Sequence, residues 1–580
     1  MRKKWGNRIG AIVLACALTM NGLPVQSISA STQKAYAAAK SETGKQDVSQ
    51  PETKMGNVVL DGNDIAVNNV NGLTYKGFGM LSGNSTSDLL MDYKAEQPKA
   101  YAELMQYLFG GNYPIMNHVK LEMGNDRNTS TGPESCTKRT EKEKANVLRN
   151  PGWQLAADAR KINPKIKVSI LRWEAPVWAG TDEKIYQWYK ETILDAYEKY
   201  GYMVDYINPN INEKWDVDSD VAFTKKFAKW IAAETKETIP DEKALALYHK
   251  IKLVVSDEAG TASDSVVESM KSDSDFYNSV DVVGYHYSPW DDSNGGMKWL
   301  AQTKDKEVWN SEAQATFSNS AFRPANNVKD PTTEGTGLGG TGSALEMANT
   351  FIKGFVQSRR SHVIYQPAIG SFYEGAQFSF KELVSARDPW SGWIHYDAGL
   401  LMLAHISKFA VTGWENEDNT AGIWRAVPQA SKCTADGTNP VNGRNGGENY
   451  MTLASPAKDN FSTMIVNDSE YPMEYKIQTK DMKLADDQNL EIWETRAADD
   501  GAFNENYMKC IGTAKADDNG VYTVKVKPYS AVTVTTLQVA DDEEHTKTLP
   551  VEGERTVLDT DRTGSKQDVE SDYLYADDFE

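Results

Sequence analysis

The chain has 580 residues, 40% of them hydrophobic and 25% charged, and its 82 acidic against 62 basic side chains leave a formal net charge of −20. That balance argues against a nucleic-acid partner and against anionic membranes, because both repel an acidic surface. The length exceeds one small core, although a single α/β barrel can absorb about 250 residues of it.

The N-terminus reads as an export signal. Arg2, Lys3, Lys4 and Arg8 precede a short apolar stretch from Ile9 to Met20, and Ala35-Tyr36-Ala37 offers a small-x-small cleavage site. Residues 1 to 37 are therefore expected to be removed and the protein to be secreted or held at the cell surface; Val13-Leu14-Ala15-Cys16 marks lipoprotein attachment as the alternative. Residues 38 to 72 are expected to form a polar tether, part of which can join the C-terminal domain. No later apolar run reaches the ~18 residues a membrane span needs. Cys16, Cys136, Cys433 and Cys510 have neither metal-ligand nor disulfide-framework spacing, so no metal or cofactor is expected.

From Thr74 the pattern alternates strand and amphipathic helix. Strands are predicted at Thr74–Leu81, Ile115–Met123, Lys167–Trp173, Tyr206–Ile211, Leu253–Ser256, Val280–Tyr287, Val308–Ser311 and His362–Pro367. Helices are predicted at Pro98–Leu108, Trp153–Ile162, Lys184–Tyr200, Val221–Thr235, Ser263–Met270, Gly296–Gln302 and Ala344–Ser358. Eight such units predict an α/β fold, a closed (β/α)8 barrel over residues 73 to 404. After Trp414 the pattern changes to short alternating runs such as "FSTMIVND", "LEIWETR" and "YTVKVKPYSAVTVTTLQV", broken by Gly, Asn and Asp. That predicts an antiparallel β-sandwich over residues 405 to 540. Residues 541 to 580 read as an acidic linker and the opening of a further, lectin-like domain.

In such barrels the chemistry sits at the C-terminal ends of the strands. Those ends carry Glu122, Trp173, Glu174, Asn212, Glu213, Asp257, Glu258, His286, Tyr287 and Glu312. Two carboxylates from opposed strands, about 5–5.5 Å apart, perform retaining glycoside hydrolysis: one attacks the anomeric carbon, the other protonates the leaving oxygen and then activates water. Glu213 and Glu312, on the fourth and seventh strands, are the expected pair. Asn212 is placed to bond the sugar 2-hydroxyl, and His286 and Tyr287 to orient Glu312 and keep it ionised. Glu122, Glu174 and Glu258 are expected to be solvated strand-end charges, Asp257 a helix cap, and Trp178 packing at the barrel top.

These residues carry a resemblance. "GFGMLSGNSTSDLL", "VKLEMGNDRNTSTG", "INPKIKVSILRWEAPVW", "YINPNINE", "DVVGYHY", "VWNSEAQATFSNS", "DPWSG" and "VTVTTL" follow one another as in the galactocerebrosidase family of glycoside hydrolases, family 59, within a clan of (β/α)8 retaining enzymes. The resemblance spans about Gly77 to Leu537. It implies hydrolysis of terminal β-galactosides with retention, a carbohydrate as the partner, Glu213 as acid/base, Glu312 as nucleophile and Asn212 as a sugar ligand. It also implies that Thr129 and Trp173 hold the sugar, and it sets Tyr365 where the family has a strand-eight Trp. The chain departs from the family in Asn210-Ile211 before Asn212 and in Ala313 after Glu312. Two other readings stay open on sequence: a same-clan hydrolase with another glycan specificity, as in family 30, and a non-catalytic glycan-binding surface protein.

Overall fold

Eight mostly apolar segments pair in parallel and close on themselves in the computed structural model. It describes residues 51–83, 86–127, 134–258, 262–287, 294–315, 343–370, 382–414, 423–434, 446–496 and 505–554, with Asp292, Leu338 and Gly339. A first strand, β1 (Lys54–Asp61), precedes the barrel. The staves are β2 (Gly77–Ser82), β3 (His118–Met123), β4 (Lys167–Arg172), β5 (Tyr206–Ile211), β6 (Lys252–Glu258), β7 (Val282–His286), β8 (Glu307–Ala313) and β9 (His362–Tyr365). β9 pairs back onto β2, which closes the cylinder. The eight strands match those expected from the alternating pattern, with ends displaced by a few residues.

Local chemistry sets the helices between them. Asn150 caps Pro151–Ile162, which carries Pro at its start, and the Thr181 side chain caps Asp182–Tyr200, which ends on Gly201 at φ +77°. The helix Ala344–Ser358 has the expected bounds. The segment expected as a helix at Gly296–Gln302 begins as one and widens into a π turn over Trp299–Thr303. Helices at Thr86–Glu96 and Gly399–Ser407 were not expected. The second reads GLLMLAHIS and is buried on every side, so it carries no one-sided stripe to find.

Strand alternation sorts the side chains. On β3, Val119, Leu121 and Met123 face the helices and join the large apolar core, while His118, Lys120 and Glu122 face the barrel interior. Leu81, Leu171, Tyr206, Val254, Val282, Trp309 and Ile364 form one apolar layer inside. Above that layer the interior turns polar.

The second domain stacks two sheets. One runs through Asn449–Ala454, Phe461–Asn467, Ser530–Thr535 and Leu490–Arg496. The other has Met473–Lys480 at its centre, antiparallel to Val521–Val526 and parallel to β1. Val58 and Leu60 of β1 pack with Tyr475, Ile477, Ile465 and Val532 between the sheets. Against the barrel, His405 of Gly399–Ser407 bridges Thr533 and Thr495 at 2.9 and 2.8 Å. Within the stretch expected as linker, Glu543–Thr546 is a short helix that buries His545.

Candidate active site

Bulges bring the chemistry to the barrel mouth. On β6, Ser256 pairs with Gly284 but Glu258 pairs with Tyr285, so Asp257 is an extra residue. On β8, Asn310 pairs with Tyr285 but Glu312 pairs with His286, so Ser311 is extra. With Trp309 and Ser311 facing inward, strict alternation would turn Glu312 out; the bulge keeps it inside. Glu213, Ser256, Asp257 and Tyr287 all have left-handed backbone, at φ +55°, +75°, +44° and +54°. Each such residue costs on the order of 1–3 kcal/mol, strain that concentrates at functional sites.

One carboxylate oxygen of Glu213, one of Glu312 and a ring nitrogen of His286 all lie within 4.8 Å of one another. His286 Nδ1 is 3.1 Å from Glu213 Oε1 and 3.7 Å from Glu312 Oε2. Behind the imidazole, Nε2 lies 3.5 Å from Asp257, and Asp257 meets Lys120 Nζ at 3.1 Å and accepts from Asn208 at 2.8 Å. The Tyr287 hydroxyl donates to Glu312. The Glu213–His286–Glu312 cluster is also the one group among the described residues with ligand atoms spaced for a metal ion. There the imidazolium already supplies the balancing positive charge.

Burial alone would strip the proton from His286, but the charges and hydrogen bonds of Glu312, Asp257 and Glu213 more than offset it and raise its pKa to about 9. Burial also lifts Glu213, yet the His286 hydrogen bond and charge win and hold that carboxyl below its ordinary value. Glu312 is lifted by burial, against the pull of His286, with Glu213 adding to the lift. Asp257 is buried too, but Lys120 and His286 keep it strongly ionised.

Glu213, Glu312, His286 and Tyr287 thus come together as expected. Asn212 is fully buried beside them, and both atoms of its amide lack partners among the described residues. Trp173 donates its indole N–H to Glu122 at 3.1 Å. Thr129 lies outside the described residues. Tyr365 does not join the site. It packs outside the barrel wall with Phe78, which meets helix residue Phe351, because His362 and Ile364 take the inward positions of β9.

Two expectations are corrected. Asp257 caps no helix among the described residues; its bulge points it inward at Lys120. Glu122 is not a solvated charge; it occupies the third inward position of β3 and is 3% exposed. Glu174 pairs with Arg127 and Lys214 on the exposed rim, and Glu258 accepts the Trp215 amide at 2.8 Å. Trp178 bonds the Lys138 carbonyl as a packing residue. Sequence reasoning missed Lys120 and Asn208, although the H-x-K-x-E spacing of β3 carries the signal for Lys120.

A model of "Glycosyl hydrolase family 59" matches residues 75–408. Galactocerebrosidase of Danio rerio is 25% identical over 357 residues, 59% of this chain and 46% of that protein. Galactocerebrosidase of Homo sapiens is 27% identical over 350 residues, 59% of this chain and 44% of that protein. The chain thus aligns with less than half the length of these relatives. Among solved structures, SrfJ from Salmonella typhimurium shares the fold at a TM-score of 0.55 and 12% identity, covering 85% of this chain and 94% of that one. The catalytic domain of a GH30 xylanase C from Talaromyces cellulolyticus gives 0.51 at 12% identity, over 83% and 99%.

Proposed function

The chain belongs to glycosyl hydrolase family 59, and from that premise we propose that it is a secreted retaining exo-glycosidase that removes terminal β-galactose by double displacement. The observation that carries this reading is the approach of one Glu213 and one Glu312 carboxylate oxygen to within 4.8 Å, just after β5 and near the end of β8, at the barrel mouth. Retaining enzymes need about 5–5.5 Å, whereas inverting ones leave about 6.5–9.5 Å for a water.

Reach divides the roles. The Glu213 side chain is 28% exposed and the Glu312 side chain 3%. Glu312, on the floor, attacks the anomeric carbon, and the bond to the aglycone oxygen breaks as Glu213 delivers a proton to it. Glu213, now a carboxylate facing solvent, takes a proton from water, which attacks the same carbon and frees Glu312. Two inversions retain the configuration. The charge of Glu213 helps to raise the Glu312 carboxyl, so the proton held by one carboxyl depends on the charge of the other. The orphan amide of Asn212 is the group for the 2-hydroxyl. The galactose assignment rests on the named relatives.

The test is hydrolysis of an aryl β-galactoside, with the first-formed anomer followed by NMR. Expected are β-galactose as first product, loss of turnover in Glu312→Gln, and a burst of phenol in Glu213→Ala with an activated leaving group. An α-anomer as first product, or full activity in Glu312→Gln, overturns the reading.

A further inference from the structure

Glu122 is the last inward side chain of β3. Its Oε1 accepts the Trp173 indole N–H at 3.1 Å. Its Oε2 is buried and has no partner among the described residues. A buried carboxyl oxygen without a partner carries its full desolvation cost, and such groups ask for a ligand. The backbone makes room for the carboxyl: a Cβ on Gly83 would stand 2.5 Å from Oε1. Trp173, which it braces, directly follows β4, the stave beside β5, after which Glu213 stands.

We infer that Glu122 is a specificity-determining residue of the proposed reaction, its free oxygen pairing with a hydroxyl of the glycone at a carbon other than C2 while its other oxygen fixes the Trp173 indole. The inference rests on the glycosidase reading above. The 2-hydroxyl falls to Asn212, which leaves the other ring hydroxyls to be met by further side chains of the mouth, Glu122 among them. Ionisation agrees with the geometry. Burial lifts the Glu122 carboxyl, the Trp173 hydrogen bond pulls it down, and the charge of Glu312 lifts it further, to about 7. Near neutral pH the group therefore passes between an acid that can also donate and a carboxylate that only accepts.

The test is a cycle between Glu122 and single hydroxyls. Wild type, Glu122→Gln and Glu122→Leu are assayed on aryl β-galactosides lacking the 3-, 4- or 6-hydroxyl. One of these deletions is expected to cost wild type at least about 30-fold in kcat/KM and Glu122→Leu less than about threefold, since removal of either partner breaks the same bond. Trp173→Phe, which frees Oε1 but leaves Oε2 in place, should keep that penalty. Glu122→Gln preserves shape and tests folding, by its melting curve, apart from charge. Equal losses in Glu122→Leu at every position would reduce Glu122 to a brace for Trp173 and overturn the inference. If turnover depends on Glu312 and no position couples to Glu122, only this inference falls. If no aryl glycoside is turned over, the glycosidase reading falls and takes this one with it.

Discussion

Lys120 and Asp257 face each other across the barrel interior at 3.1 Å, both buried. Such a pair is a poor source of stability, because dehydration of two ions offsets most of their attraction. Its position matters more: Asp257 also stands 3.5 Å from His286, which in turn meets Glu213. The pair fixes the imidazole from behind. Lys120→Met leaves Asp257 charged and buried, with Asn208, His286 and Ser311 as its remaining support. It is expected to cost about 3–5 kcal/mol in denaturant unfolding, and adding Asp257→Asn should recover part of that. An unchanged midpoint in Lys120→Met would show that the column is not ion-paired.

Tyr287→Phe removes the hydroxyl that donates to Glu312. That bond favours the ionised carboxylate, so its loss raises the Glu312 pKa further. The acid limb of the kcat/KM profile should move to higher pH, with a fall of about 10- to 100-fold at neutral pH. A profile that drops without moving would assign Tyr287 to substrate contact instead.

His286 has a pKa of about 9 when folded, against about 6.5 in an unfolded chain. Between those values the folded state holds the extra proton. Its stabilisation is complete below about 6.5 and fades as pH rises through 9, to a total of at most about 3 kcal/mol. Lys76 and Lys408, each lowered to about 8 by burial, work in the opposite sense at higher pH. The comparison is therefore wild type against His286→Gln. The stability gap between them should narrow from pH 6.5 to 9.5, and a constant gap would mean that His286 is neutral throughout.

Gly284→Ala probes the bulges. A Cβ there would meet Asp257 Oδ1 and Ser311 Oγ, each at 2.5 Å. These atoms belong to the two extra residues that turn β6 and β8 toward the site. About 1–3 kcal/mol of destabilisation is expected, with an activity loss of more than tenfold because Glu312 follows Ser311 directly. Full activity in this variant would show that the bulges adjust without cost.

The barrel was readable because each stave sets apolar residues against helices at every second position. The carboxylate pair was readable because both residues close a strand. The parity of His118, Lys120 and Glu122 was also available, yet reading strand ends alone hid Lys120 and made Glu122 look solvated. Parity likewise places Tyr365 outside, on the opposite face from His362. What the sequence does not display is an inserted residue in a strand. Asp257 and Ser311 look ordinary in a string of letters, and only pairing to β7 reveals that each resets the alternation after it. Without sight of that insertion Asp257 reads as a cap.

β1 is laid parallel to Met473–Lys480, residues made hundreds of positions later. During synthesis each βα unit can find its neighbour soon after it emerges, but Val58 and Leu60 must wait until Met473–Lys480 has been made before β1 can pair. Among the described strands the first to be made is thus one of the last to pair, and until then its apolar residues are open to misassociation. A chaperone that shields the segment around Val58 would shorten that hazard, and a fusion placed just before Lys54 would sit beside this late-closing seam.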